Sequence, residues 1–222
     1  MDRPTVDYDT ARNMMVDSQV RPNKVNDTRI LAAMRSLPRE RFVPQQFAAV
    51  AYADADIALG QGRVMLQPMV IARLVQLAAI RGGEQVLVVG AGAGYGAALL
   101  AMLGAKVIAL EDDPALLALA RTALAGIDGI TQVSGALADG WPAAAPYDVV
   151  FIEGAVEQVP PALAAQLRGP GARLIAIRAG AAGRIGHAVI GERSAAGLAL
   201  RAEFDCGAPL IPSLRRAPGF VF

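Results

Sequence analysis

From residue 85 onward, short branched apolar runs alternate with helical ones, and no other feature of the chain limits its fold so tightly. The apolar runs are "QVLVVG" (85–90), "KVIALE" (106–111), "ITQVSG" (130–135), "YDVVFIEGA" (147–155) and "ARLIAIRA" (172–179). Each has the length and the β-branched content of a strand covered on both faces. Between them lie "AALLAML" (97–103), "PALLALARTAL" (114–124) and "PPALAAQL" (160–167), which read as helices. Strand–helix alternation of this kind predicts an α/β fold with a doubly wound, mainly parallel sheet.

The flanks read differently. The first 80 or so residues look helical. "NDTRILAAMRSL" (26–37) has Asn26 or Asp27 as a cap and Pro38 as a stop, and "PMVIARLVQLAAI" (68–80) starts on Pro68 and stops at Gly82-Gly83. Between them, "YADADIALGQGRVMLQ" (52–67) has no clear period and reads as a loop. The tail 187–205 predicts an antiparallel hairpin, and "APGFVF" (217–222) ends on apolar residues expected to dock. The expected organisation is one domain over 1–222, with an N-terminal segment (1–80), a core (81–180) and C-terminal strands (181–222).

Composition excludes several functions. The net charge is +1, so nothing electrostatic points to nucleic acid or an anionic membrane. Cys206 is alone, which rules out an intrachain disulfide and suits a reducing compartment. The N-terminus is acidic and polar, unlike a signal peptide, and the apolar runs are too short to span a bilayer. A cytoplasmic protein is expected. With no His/Cys cluster, no metal site is expected.

The first strand runs into "GAGAGYG" (90–96). A glycine turn there lets a ligand approach the backbone and the free N–H groups of the next helix. A phosphate-binding P-loop would need Gly-Lys-Ser/Thr, which is missing. A dinucleotide turn can be forced onto Gly92–Ala97, whereas the GxGxG of S-adenosylmethionine sites fits Gly90, Ala91, Gly92 and Gly94 directly, with Tyr95 following. Glu111, at the end of the second strand beside Asp112, is placed to accept from ribose hydroxyls. Its alternative role is to cap the helix that starts near Pro114.

Four stretches together resemble the protein-L-isoaspartate O-methyltransferase family: "MVDSQVRPNKVNDTRILAAMRSLPRERFVP" (15–44), "AYADADIALGQGRVMLQP" (51–68), the glycine turn, and "GWPAAAPYDVVFIEGAVEQVP" (140–160). "LRGPGARLIAI" (167–177) continues the likeness. The resemblance implies a Rossmann-like methyltransferase fold, S-adenosyl-L-methionine as methyl donor, and isoaspartyl α-carboxylates of damaged proteins as acceptors. It also implies the site residues. In the loop 60–68, which the family uses as its substrate lid, Leu66 stands where the family has a substrate-contacting Ser, Val64 where it has a Thr, and Gln67 matches. Ala136 and Leu137 stand where a family Asp contacts the adenine, and Val88 where it has a carboxylate.

These departures leave three readings: the repair methyltransferase, a methyltransferase for another acceptor, and a non-catalytic relative with an eroded cofactor site. Methylating a carboxylate requires no general base, because the nucleophile is already ionised at pH 7. Glu153 and Glu157 follow the fourth strand; a carboxylate at Glu153 either reshapes substrate choice or is simply solvated, and solvation is the expectation. His187, in the tail, has no evident partner in the sequence.

Overall fold

The structure is a computed structural model that describes residues 7–181, 184–194 and 197–215. The expected docking of "APGFVF" lies outside these residues.

The N-terminal segment is helical, as expected. Helix α1 (Tyr8–Met15) is capped by Asp7, whose side chain accepts from the Thr10 N–H. Helix α2 (Thr28–Ser36) takes its cap from Asp27 and not Asn26, and stops at Leu37, before Pro38. Helix α3 (Pro68–Ala78) begins on Pro68 as expected but ends sooner. Ala79 turns left-handed at φ 46°, so Gly82-Gly83 follow the stop and do not make it.

Residues 52–67 depart from the expected loop. They carry a two-stranded hairpin, β1 (Ile57–Gly60) and β2 (Arg63–Met65), separate from the main sheet. Its turn, Gly60-Gln61-Gly62, has three successive positive φ angles of 105°, 51° and 73°. Strands this short show too few residues for a period of two to stand out.

The main sheet has seven strands: β3 (Gln85–Val89), β4 (Lys106–Glu111), β5 (Ile130–Ser134), β6 (Val149–Val156), β7 (Arg173–Arg178), β8 (His187–Ser194) and β9 (Gly197–Asp205). Their order is β5-β4-β3-β6-β7-β8-β9. The strands from β3 to β7 pair in parallel, and β8 and β9 add antiparallel, the hairpin that the tail predicted. The order reverses between β3 and β6, which opens a crevice at their carboxyl ends.

Helices α4 (Tyr95–Met102) and α5 (Pro114–Ala123) pack with α2 and α3 on one face, over Val86, Val88, Phe151 and Ile175. The opposite face buries Leu87, Val89, Val150 and Ile152 under Tyr147, Leu163 and Leu167. That second layer is thin. It holds α6 (Pro161–Ala165) and three single 3₁₀ turns, Leu137–Asp139, Pro142–Ala144 and Pro212–Leu214.

Candidate functional site

The glycine turn joins β3 to α4 at the crevice. Gly90, Gly92 and Gly94 sit at φ 68°, 57° and 92°, a region that L side chains rarely adopt, and Gly94 is the N-cap of α4. Gly90, Ala91, Gly92, Gly94 and Tyr95 are therefore together at the switch point, and all are buried.

Glu111 reaches the same place from the end of β4, at 1% exposure. Its Oε2 accepts from the Gly92 N–H at 2.7 Å, and its Oε1 from the N–H groups of Asp112 and Asp113 at 3.0 and 3.2 Å. Burial pushes its carboxyl upward, helped by the Asp112 side chain and opposed by Arg63 and by the Gly92 and Asp113 N–H groups. The capping role falls to Asp113, whose side chain accepts from Ala115 and Leu116 at the start of α5. Asp112 is partly exposed beside it. Ala136 and Leu137 follow β5 at the same edge of the sheet, Ala136 exposed and Leu137 buried against Leu110 and Tyr147.

The lid residues are placed differently from the loop the sequence suggested. Leu66 is buried at 1% exposure in the main core, and its carbonyl accepts from Arg39 Nη2. Val64 is half-buried on β2, and the Gln67 N–H donates to Asp56 Oδ1 at 2.8 Å. Val88 is fully buried in β3.

Glu153 corrects an expectation. It is not solvated: it is 7% exposed and lies under the start of α4, where Oε1 accepts from the Gly96 N–H at 3.3 Å. The pairing of β6 with β7 shifts register between Phe151 and Ala155, so Glu153 sits in a bulge. Burial pushes its carboxyl up to about 8, against the pull of Arg63 and the Gly96 N–H. A Cβ on Gly96 would lie 2.4 Å from Glu153 Oε2, so any side chain there would displace the Glu153 carboxyl. A carboxylate inside the unbroken apolar run "VVFIEGAV" was the signal that could have placed it inside. Glu157 is exposed. His187 is exposed too, and its Nδ1 lies 2.8 Å from Asp205 Oδ1 in the β8–β9 hairpin, away from the turn.

Two arginines at the site were missed. Arg63 Nη1 donates to Glu111 Oε1 and Oε2 at 2.9 and 3.1 Å, and Nη2 donates to the Gly90 carbonyl at 2.6 Å. Arg39, with no exposed surface, donates to the carbonyls of Ala51 and Leu66 and stacks on Tyr95. Arg39 Nη1, the Tyr95 hydroxyl and Glu153 Oε2 are all buried without a hydrogen-bond partner. Arg63 lies on the same buried face of β2 as Met65, but a three-residue strand displays no period from which the sequence could show it. Among the described residues, no group of three or more His, Cys, Asp or Glu is placed to hold a metal, and no helix is long and apolar enough to cross a membrane.

A parallel sheet with a glycine turn at its switch point and a carboxylate closing the neighbouring strand defines a Rossmann-like nucleotide-binding fold. The family model for protein-L-isoaspartate(D-aspartate) O-methyltransferase matches residues 10–185, and the chain belongs to that family. A protein-L-isoaspartate O-methyltransferase from Methylorubrum extorquens is 42% identical over 175 residues, covering 78% of this chain and 75% of the relative. One from Methanoculleus marisnigri is 42% identical over 167 residues, covering 74% and 76%. Among solved structures, a protein-L-isoaspartate O-methyltransferase superposes with TM-score 0.77 at 22% identity, over 93% of this chain and 67% of the other. A putative one from Plasmodium falciparum, in complex with S-adenosyl-L-homocysteine, superposes with TM-score 0.71 at 16% identity, over 91% and 98%.

Proposed function

We propose that this chain transfers a methyl group from S-adenosyl-L-methionine to the free α-carboxylate of isoaspartyl residues in damaged proteins. Family membership supports the reaction. The single structural observation that carries it is the Glu111 carboxylate at the end of β4, 2.7 Å from the backbone N–H of the glycine turn.

The groups present suit the donor. Glu111 offers a ribose acceptor, Asp112 a second carboxylate beside it, and Gly90 and Gly92 a turn with no side chains of its own. Ala136 and Leu137 offer only an apolar edge in place of a polar adenine contact. When bound, S-adenosyl-L-methionine supplies a methyl group already activated on a positively charged sulfur.

The chain's own contribution is placement and dryness. An isoaspartyl carboxylate is ionised at neutral pH, so no residue has to remove a proton. The lid is apolar at Val64 and Leu66, which excludes water and leaves the acceptor to backbone donors. Glu153, with its carboxyl at about 8, carries its proton at pH 7 and adds no negative charge to repel an anionic acceptor.

The proposal takes soluble protein or peptide in the cytoplasm as substrate, with no nucleic acid or membrane. The test is transfer of labelled methyl from S-adenosyl-L-methionine to an isoaspartyl peptide and to its aspartyl twin. Base-labile label on the isoaspartyl peptide alone is expected. Label on neither would overturn the reading, and label on the aspartyl twin would shift it to another acceptor.

A further inference from the structure

The space in front of the glycine turn is filled by the chain itself. A Cβ built on Gly90 would lie 2.9 Å from Arg63 Nη2 and 3.1 Å from Ile211 Cδ1, and one on Gly92 would lie 3.2 Å from Leu59 Cδ1. Arg63 and Leu59 both belong to the β1–β2 hairpin. Arg63 is 7% exposed and makes three contacts that a ribose at this place would contest: two to Glu111 and one to the Gly90 carbonyl. Immediately outside lies an open hollow of about 330 Å³, lined by Gln61, Arg63, Asp112, Asp113 and Pro212.

We infer that Arg63 is an internal stand-in for the ribose of the cofactor, and that the β1–β2 hairpin is a latch which withdraws Arg63 from Glu111 before the cofactor enters. This rests on the proposed cofactor and adds the residue that sets its affinity. The Arg63 guanidinium satisfies the buried Glu111 carboxylate, which would otherwise be a costly unpaired charge. A ligand must displace a partner held in place by the fold, so its apparent dissociation constant is the intrinsic one divided by the open fraction.

The hairpin is suited to movement. Its strands have four and three residues and make no ladder with the seven-stranded sheet. A two-stranded unit of that size has little stability of its own. What holds it down is side-chain burial at Ile57, Leu59 and Met65, Arg63 itself, and Arg39, which donates to the Leu66 carbonyl just beyond β2.

The test is calorimetric titration with S-adenosyl-L-homocysteine, and separately with adenosine, of the unaltered protein and of Arg63→Ala. Arg63→Gln serves as the second variant, because it keeps a donor near Glu111 should the alanine protein fail to fold. Hydrogen exchange of residues 57–65 is followed in the unaltered protein with and without ligand. The latch predicts at least tenfold tighter binding by the variant for both ligands, since both carry the contested ribose. It also predicts faster exchange of 57–65 on saturation. Equal affinities in the unaltered protein and the Arg63 variants, or unchanged exchange in a saturated complex, would overturn the latch and leave the cofactor reading standing. No binding to any of the proteins at millimolar ligand would overturn both, because Arg63 would then not be what keeps the ligand out.

Discussion

The Arg39 guanidinium lies 4.8 Å from the centre of the Tyr95 ring, and both side chains are buried. Arg39 also donates to the carbonyls of Ala51 and Leu66, so one side chain ties both flanks of the β1–β2 hairpin to the first residue of α4. Tyr52 closes the arrangement, its hydroxyl accepting from the Arg39 N–H at 3.2 Å and from Arg12 Nε at 3.0 Å.

Arg39→Lys is therefore expected to be harmful although it conserves charge. Lysine offers a point charge where a planar fork reaches two carbonyls and stacks on a ring. One carbonyl would lose its partner at a cost of about 1–3 kcal/mol. Thermal unfolding should show a midpoint lower by roughly 3–10 °C for a chain of this length. An unchanged midpoint would show that the stack and fork contribute little.

Glu153 gives a pH prediction. Its carboxyl sits at about 8 in the folded protein, against an ordinary 4.5. Between those values the folded state holds a proton that the unfolded state has released. This contribution to stability falls as pH rises through that window, by at most about 1.4 kcal/mol per unit. Glu153→Gln removes the effect, so the variant should gain stability relative to the unaltered protein from pH 5 to pH 8. Parallel melting profiles would mean that Glu153 is ionised in the fold.

Leu66→Ser tests the lid. Restoring a hydroxyl to a carboxylate-binding lid would gain one hydrogen bond, about 1.5–3 kcal/mol in the transition state if the hydroxyl reaches the acceptor. Leu66 is 1% exposed in the core, however, and trimming a buried leucine costs about 2–5 kcal/mol. The expected outcome is a melting midpoint lower by roughly 5–15 °C, with kcat/KM on an isoaspartyl peptide raised about tenfold where the variant is still folded. A stable variant with unchanged kinetics would place Leu66 away from the acceptor.

Cys206 is 4% exposed, and burial pushes its thiol up to about 11. The thiolate is the reactive form. Labelling by a disulfide reagent at pH 8 should be about a hundredfold slower in the folded protein than in denaturant. Rapid native labelling would show that the strand ends near Cys206 open readily.

The parallel core was legible because strands such as Gln85–Val89 and Val149–Val156 carry their burial in composition alone. The glycine turn and Glu111 were legible from their spacing to those strands. The hairpin at 57–65 was not, because three or four residues cannot display a period and its burial is a tertiary fact. Arg63 and Arg39 were hidden for the same reason: an arginine reads as surface until the fold supplies a carboxylate or two carbonyls for it. Glu153 was misplaced as solvated although its neighbours Ile152 and Ala155 are fully buried, which shows that a strand's apolar context outweighs the polarity of one residue in it.

Among the described residues, the antiparallel pair β8 and β9 finishes the sheet, and no strand pairs with the outer rim of β9. Strand β9 carries Arg201, Glu203 and Asp205, with Arg201 Nη2 2.9 Å from Glu203 Oε1 and Asp205 on His187; its pairing with β8 slips by one residue at Glu203, which puts Arg201 and Asp205 on opposite faces. An incoming strand would meet charge on both faces and an irregular register at Glu203, which penalises edge-to-edge association. Replacing Arg201 and Glu203 with threonine would leave β9 strand-competent but uncharged along that stretch, turning a terminated sheet into one that can template its own aggregation.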